Sequence, residues 1–301
     1  MITNVRRILC PVDLSECSRR ALDHALGLAR CYRATITALH VVSPITALSP
    51  APLPSGVLTT VQTPIDPAVI SAQVRRMIGA KQLPGATVDV LVTESPDVQG
   101  EILAQAGRLQ ADLIVIGTHG RGVVERLFLG STAERVLRKS RCPVVTVPMT
   151  ALETMPLGSA PFARIVCGID FSPSSQLGLD HAISLAQESR GTLMLVHAIE
   201  VLPLYYDFSP PVVVDLDAWR RDAMQRLHAM VPDTVRTSCE VREVVVRGKA
   251  YQGILELADS VKADLIVLGI QGRGAVDRFF FGSTANHVVR QAGCAVMTVR
   301  S

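Results

Sequence analysis

Apolar runs alternate along this chain with segments of helical periodicity, and the whole order occurs twice. Runs without polar alternation are typical of strands buried on both faces of a parallel sheet. The predicted strands of the first half lie near residues 7–12, 35–42, 88–92, 111–116 and 144–147, and those of the second near 164–169, 192–199, 241–246, 263–268 and 295–299. Strands that alternate with helices indicate parallel βαβ units with right-handed crossovers.

The repeat is visible residue by residue. Arg7–Ser15 matches Arg164–Ser172, and more than half of the positions of Ala111–Val147 are identical in Ala263–Val299. The pattern predicts an α/β protein of two repeated doubly wound domains, residues 1–150 and 160–301. Each is expected to hold an open five-stranded parallel sheet flanked by helices.

Three segments show no clear periodicity of hydrophobic residues. Residues 149–162 contain Pro, Gly, Ser and Thr and are predicted to be a linker between the halves. Residues 43–67 are rich in Pro, Ser and Thr and are predicted to be a long loop. Residues 201–217 are richer in aromatic and apolar residues. A lid over a site and a loose surface loop are both compatible with segments of this kind.

A glycine motif follows the fourth predicted strand of each half. It reads Gly117-x-x-Gly120, nine residues, Gly130-Ser131, and it returns as Gly269-x-x-Gly272, nine residues, Gly282-Ser283. A glycine loop that ends at a helix start offers backbone N–H groups to an anion, which favours a phosphate site. The alternative is that the glycines form tight turns and Ser131 caps its helix. The occurrence of two intact copies favours the phosphate site.

Two known nucleotide motifs do not fit this loop. A Walker loop needs Gly-Lys followed by Ser or Thr, and the only Gly-Lys pair, Gly248-Lys249, is followed by Ala250. The Gly120-Arg121-Gly122 stretch lacks the third glycine of the dinucleotide fingerprint.

Charged residues accompany the motif in both halves. Asp13 and Asp170 follow the first strands, and the carboxyl ends of parallel strands in such a sheet meet at the ligand edge. Each aspartate is predicted to contact a ligand or, alternatively, to cap the next helix beside Ser15 or Ser172. Arg121 and Arg273 could neutralise phosphate charge or be solvated loop charges.

Composition narrows the class of protein. The net charge of +3 is too small to indicate nucleic-acid binding. No apolar stretch approaches the length of about 18 residues that a membrane span needs, and the first residues lack the pattern of a signal peptide. The seven cysteines form no dense framework. Cys10 and Cys142 recur as Cys167 and Cys294 at repeat-equivalent strand positions, and they are expected to be reduced, buried thiols. These features predict a soluble cytoplasmic protein.

The histidines do not suggest a metal site. His24, His40, His181 and His197 recur at repeat-equivalent positions, which the repeat itself explains, and none has metal-ligand spacing. His119 is replaced by Gln271 in the second half, which argues against a catalytic base common to both.

On these motifs the chain resembles a tandem universal stress protein with two domains of the UspA type, over about residues 3–148 and 162–300. The resemblance implies a strand order of 3-2-1-4-5 and ATP with Mg²⁺ at the carboxyl ends of the strands. Asp13 and Asp170 would contact the ribose or a phosphate-bound metal, and the glycine loops would wrap the phosphates. Val41 and Ala198 would lie near the adenine, with Pro11, Val12, Gly168 and Ile169 beside it.

The resemblance and the motif together give one set of candidate residues per half. In the first half they are Pro11, Val12, Asp13, Val41, Gly117, Gly120, Arg121, Gly130, Ser131 and Thr132. In the second they are Gly168, Ile169, Asp170, Ala198, Gly269, Gly272, Arg273, Gly282, Ser283 and Thr284. Gly168 replaces Pro11 and Ala295 replaces Pro143, and these departures put the affinity of the second site in doubt.

The leading interpretation is an adenine-nucleotide-binding regulatory protein of the stress response, which acts through nucleotide-dependent conformation or assembly. A slow ATPase and a nucleotide-free assembly scaffold are the alternatives, and no positioned base is evident for turnover. Neither nucleic acid nor membrane is expected as a partner. The short apolar fifth strands, Val144–Val147 and Ala295–Val299, are expected to pair antiparallel as exposed edges, which would make an intrachain pseudo-dimer. Two chains are then expected to form a homodimer.

Overall fold

The computed structural model describes residues 5–43, 47–48, 60–61, 66–79, 87–119, 129–151, 162–200, 215–270 and 282–300. The strands are β1 (Arg7–Pro11), β2 (Thr35–Val42), β3 (Ala47–Leu48), β4 (Thr60–Val61), β5 (Thr87–Glu94), β6 (Leu113–Gly117), β7 (Val144–Val147), β8 (Arg164–Gly168), β9 (Thr192–Ile199), β10 (Glu240–Arg247), β11 (Leu265–Ile270) and β12 (Ala295–Arg300). The helices are α1 (Glu16–Tyr32), α2 (Pro67–Ile78), α3 (Val98–Arg108), α4 (Ser131–Lys139), α5 (Pro173–Ser189), α6 (Leu216–Ala229), α7 (Asp233–Arg236), α8 (Ala250–Val261) and α9 (Ser283–Gln291).

One ten-stranded sheet runs through both halves, in the order β10-β9-β8-β11-β12-β7-β6-β1-β2-β5. Within each half all neighbours are parallel. Counted from its own first strand, each half has the order 3-2-1-4-5, and the predicted fold class is confirmed.

The halves meet where β7 pairs antiparallel with β12, a pair that we call the seam. The register places Val145 opposite Met297, which are repeat-equivalent residues, so a local two-fold axis passes through this pair. On either side, Thr146 Oγ1 donates to Val296 O at 3.2 Å, and Thr298 Oγ1 donates to Val144 O at 3.3 Å. The expectation that the two fifth strands pair as edges is confirmed.

Two apolar clusters, one on each face of the sheet, form the core. One packs α1, α2, α5 and α6 against the strands, and the other packs α3, α4, α8 and α9. Each cluster contains residues of both halves. The unbroken apolar runs of the sequence are therefore explained, because the central strands are covered on both faces. Among the described residues, no helix is long and apolar enough to cross a membrane.

The segment predicted as a long loop after β2 contains regular structure. β3 and β4 pair antiparallel, and α2 begins at Pro67, where Asp66 accepts a hydrogen bond from Ala68 N at 2.8 Å. The prediction was wrong here because strands of two residues carry no periodicity. The rest of this segment, most of residues 201–217 and linker residues 152–161 lie outside the described residues.

Candidate functional site

A cavity of about 580 Å³ opens at the carboxyl ends of β1, β2 and β6 in the first half. Every first-half candidate residue that the structure describes lines it, namely Pro11, Val12, Asp13, Val41, Gly117, Gly130, Ser131 and Thr132. Gly120 and Arg121 lie outside the described residues. The topological expectation that Asp13 and the glycine motif converge in space is thus met, although about 100 residues separate them along the chain.

The turn after β1 holds Asp13 at the cavity. Leu14 adopts a left-handed φ of 63°, which bends the chain from the strand into α1. Ser15 is the N-cap of α1, and its hydroxyl accepts from Ser18 N at 3.2 Å. Asp13 does not cap the helix itself: its Oδ1 accepts from Ser15 N at 3.0 Å and so orders the cap. The alternative prediction, that Asp13 caps the next helix, is therefore only partly correct.

The second half repeats this turn. Phe171 has a left-handed φ of 60°, Ser172 caps α5, and Asp170 Oδ1 accepts from Ser172 N at 3.0 Å. Burial raises the pKa of Asp170, but hydrogen bonds from Ser172 and Ser175 outweigh it and lower that pKa overall. The carboxylate is therefore ionised at neutral pH.

The start of α4 forms the opposite wall of the cavity. Its N-cap is Gly130, and no side chain of the described residues caps it, whereas α1, α2, α3, α5 and α6 each have a side-chain cap. The idea that Ser131 merely caps this helix is therefore wrong. N–H groups in the first turn of a helix have no intrahelical acceptor, and the helix dipole makes this end attractive to anions.

Different local contacts explain why glycine occupies each position of the motif. A Cβ on Gly117 would lie 2.8 Å from Cys17 Sγ and 3.1 Å from the Cys17 backbone, so the packing of α1 on β6 requires glycine. Gly130 N donates to Thr118 O at 2.8 Å, which closes the base of the loop. A Cβ on Gly130 would lie 3.1 Å from that carbonyl oxygen.

Several lining residues were missed by the sequence reasoning. They are Ser18, Leu39, Ser43, Val98, Ile102, Ile116, Thr118, His119 and Ala133. His119 Nδ1 lies 2.8 Å from Thr118 Oγ1, and its buried Nε2 has no hydrogen-bond partner among the described residues. The apolar members from α3 carried no signal, because their distance from the motif in sequence hides their position in space.

Two of the recurring histidines also contact this region. His40 Nδ1 lies 2.7 Å from Val12 O, and His197 Nδ1 lies 2.8 Å from Ile169 O. Each therefore binds the carbonyl of the residue before the aspartate. The sequence could have indicated this role, because each histidine directly precedes a candidate residue, Val41 or Ala198, in the second strand of its half.

The second-half candidates lie at the ends of β8, β9 and β11 and at the start of α9. They comprise Gly168, Ile169, Asp170, Ala198, Gly269, Gly282, Ser283 and Thr284, while Gly272 and Arg273 lie outside the described residues. No side chain of the described residues caps α9 either. A Cβ on Gly168 would lie 2.6 Å from Leu268 Cδ2 and 3.1 Å from Ile254 Cδ1, so these two side chains pack close to the glycine that replaces Pro11.

The described residues contain no group of three or more His, Cys, Asp or Glu side chains that could hold a metal ion. Asp13 is the one carboxylate among the described residues that line the cavity. A divalent cation there would need most of its ligands from a bound molecule and from water.

Comparisons with known proteins agree with this geometry. The model of the Universal stress protein family matches residues 4–148 and 161–300. Universal stress protein A homolog 1 of Coxiella burnetii is 33% identical over 140 residues, which cover 46% of this chain and 96% of that protein. A universal stress protein of Mycolicibacterium smegmatis is 28% identical over 302 residues, covering 97% of this chain and 96% of the relative. The crystal structure of a universal stress protein from Archaeoglobus fulgidus has a TM-score of 0.62 at 22% identity and covers 98% of both chains.

Proposed function

This chain belongs to the universal stress protein family, and on that premise we propose that it is an adenine-nucleotide-binding regulatory protein. The proposed ligand is ATP with Mg²⁺, bound first of all in the cavity of the first half. Binding is proposed to favour one conformation or assembly of the protein, as part of a stress response.

One observation carries the proposal: a single cavity of about 580 Å³ joins apolar walls, the carboxylate of Asp13 and the start of α4. Its size lies within the range of about 300–1,000 Å³ typical of small-molecule sites. The apolar side chains of Pro11, Val12 and Val41 suit a flat base, and the N–H groups at Ser131 and Thr132 suit phosphate.

The residues present fit a nucleotide-bound magnesium ion. Mg²⁺ is usually held by one or two carboxylates together with substrate phosphates and water. Asp13 supplies such a carboxylate, and it could instead accept a hydrogen bond from a ribose hydroxyl. The ion would neutralise phosphate charge, and Arg121 of the loop is proposed to assist. The chain itself holds the base, the sugar and the phosphates in one orientation.

The second half is proposed to bind the same ligand more weakly. Asp170 and the start of α9 repeat the polar groups, and Gly272 and Arg273 complete the motif. The base, however, would meet Gly168 and Ala198 instead of Pro11 and Val41. Gly168 has no side chain, so a nucleotide loses the contact with a proline ring there.

Calorimetric titration of the full chain with Mg-ATP tests the proposal. We expect saturable heat, a stoichiometry approaching two per chain, and a weaker but still measurable affinity of the tighter phase in Asp13→Ala. A stoichiometry of one would restrict the proposal to the first half. The absence of both heat and thermal shift at millimolar ATP would contradict it. Chromatography of nucleotide released from freshly purified, denatured protein identifies the physiological ligand.

The proposed setting is the cytoplasm, and the proposed partner is a second copy of the chain. All seven cysteines are free, which agrees with a reducing compartment. A ligand shifts an equilibrium only by binding one state better than another. Sedimentation of the full chain with and without Mg-ATP should therefore change if assembly is the regulated step.

A further inference from the structure

We propose that His40 is a positioning residue of the first-half site, which acts on the ligand through Asp13. The inference deepens the proposed nucleotide site and rests on it. His40 is not among the residues that line the cavity, whereas its neighbours Leu39 and Val41 are. Successive side chains of a strand point to opposite faces, so His40 reaches the site only through the backbone that it binds.

The hydrogen bond between His40 and Val12 lies just beyond the end of β1, where the pairing of β1 with β2 stops. The β1–β2 register ends at Pro11 and Leu39, and Val12 N still donates to Leu39 O at 2.8 Å. The carbonyl of Val12 accepts from His40 Nδ1 at 2.7 Å instead of from a strand. Because a carbonyl can only accept, Nδ1 carries the hydrogen in this bond.

The Val12 carbonyl belongs to the peptide group that leads into Asp13. On the far side of that group, Asp13 N donates to Ser18 Oγ at 3.3 Å, and Asp13 Oδ1 accepts from Ser15 N at 3.0 Å. The turn then passes through Leu14 with its left-handed φ of 63°, a conformation that costs free energy in a residue with a side chain. His40 before the turn and Ser15 after it hold that costly shape, and with it the direction of the carboxylate.

The same bond holds in the different surroundings of the second half. His197 Nδ1 lies 2.8 Å from Ile169 O, and Phe171 there has a φ of 60°. The ring of Phe171 lies 4.6 Å from that of His197, and the Arg226 guanidinium lies 3.8 Å from the centre of the Phe171 ring. Phe171 with its ring contacts thus stands where the first half has Leu14, while the bond from histidine to carbonyl is the same in both halves.

Two substitutions at one position separate the bond from the bulk of the ring. His40→Leu removes the donor, and His40→Asn places an amide nitrogen at the same distance along the side chain as Nδ1. Both are made in full-length protein that also carries Asp170→Ala, so that calorimetry reports the first half. We expect His40→Leu to raise the Kd for Mg-ATP about tenfold, a typical effect of one lost hydrogen bond. His40→Asn should restore most of the affinity, and His228→Leu, at an exposed histidine of α6, should change nothing.

A double-mutant cycle shows whether His40 acts through Asp13. If it does, His40→Leu with Asp13→Ala binds no more weakly than Asp13→Ala alone. Multiplied losses, or a wild-type Kd in His40→Leu, would overturn the proposal.

Hydrogen exchange of the Ser15 amide supplies a readout without nucleotide. It should speed up in His40→Leu and return toward the wild-type rate in His40→Asn, because this amide donates to Asp13. Unchanged exchange counts against positioning. Failure of the parent chain to bind Mg-ATP would instead remove the proposed function, and the exchange result would still decide how His40 acts on the turn.

Discussion

Gly117 and Gly130 share a motif but are glycines for different physical reasons. The missing side chain of Gly117 makes room for the backbone of Cys17 in α1, so a larger residue would push helix and strand apart. Gly130 stands at the N-cap of α4 with a φ of −59°, which other residues adopt without strain. Substitution at Gly117 therefore tests folding, and substitution at Gly130 tests the site.

At this scale we predict that Gly130→Val weakens Mg-ATP binding at least about tenfold, because a branched side chain would cover the N–H groups that are proposed to bind the phosphates. The melting temperature should fall by a few degrees, since valine is a poorer N-cap than glycine and the backbone oxygen Thr118 O lies 3.1 Å from the added Cβ. Titration and thermal unfolding measure the two effects separately.

Gly107→Ala is the matched control. A Cβ there meets nothing within 4 Å, and the position lies inside α3, where alanine is the better helix former. It should bind Mg-ATP as the parent does and be slightly more stable. Wild-type affinity in Gly130→Val would show that the phosphates lie elsewhere.

At the scale of the elements, the pairing of β7 with β12 joins the two halves into one sheet. Thr146 and Thr298 are buried, and each hydroxyl donates to a carbonyl of the opposite strand. We predict that Thr146→Val and Thr298→Val each lower the free energy of unfolding by about 1 kcal/mol, since valine keeps the shape and loses the bond. Urea titration checks this, with Thr37→Val in β2, away from the seam, as the control. Equal losses at all three positions would mean that the hydroxyls at the seam contribute nothing special.

The sequence predicted elements with a long, clear period and missed those without one. β6 and β11 are continuous apolar runs, so both were found together with the glycine motif that follows them. The two-residue strands β3 and β4 and the four-residue helix α7 are too short for any period to show. At the site, Asp13 and Ser131 were predictable because strand ends and helix starts have known positions in a doubly wound sheet. Ile102 was not, because only the packing of α3 brings it to the cavity.

At the scale of the whole molecule, the seam determines the directions in which the two candidate sites open relative to each other. In the ten-stranded sheet the strands are parallel within a half and antiparallel across the seam, so the carboxyl ends of β1 and β8 point in opposite directions. The candidate sites therefore lie at opposite ends of one sheet. A nucleotide bound in one site would not touch the other, and any coupling between them would have to pass through the shared core.

The seam also predicts the behaviour of an isolated half. Met1–Thr150 exposes β7, an apolar edge that normally pairs with β12. Since Val145 lies on the local two-fold axis, a second copy can offer its own Val145 in place of Met297. We expect this fragment to dimerise in analytical sedimentation. A fragment that stays monomeric and soluble at high micromolar concentration would contradict this.

The join between the halves also has a genetic consequence. In a symmetric homodimer both sites are encoded by the same gene segment, so every mutation changes both sites at once. Here each codon reaches one half only, and the halves already differ where Gly168 stands for Pro11 and Ala198 for Val41. One pocket is free to accumulate mutations toward another ligand, or toward none, while the common sheet keeps both halves folded. Selection can then act on each end of the molecule separately.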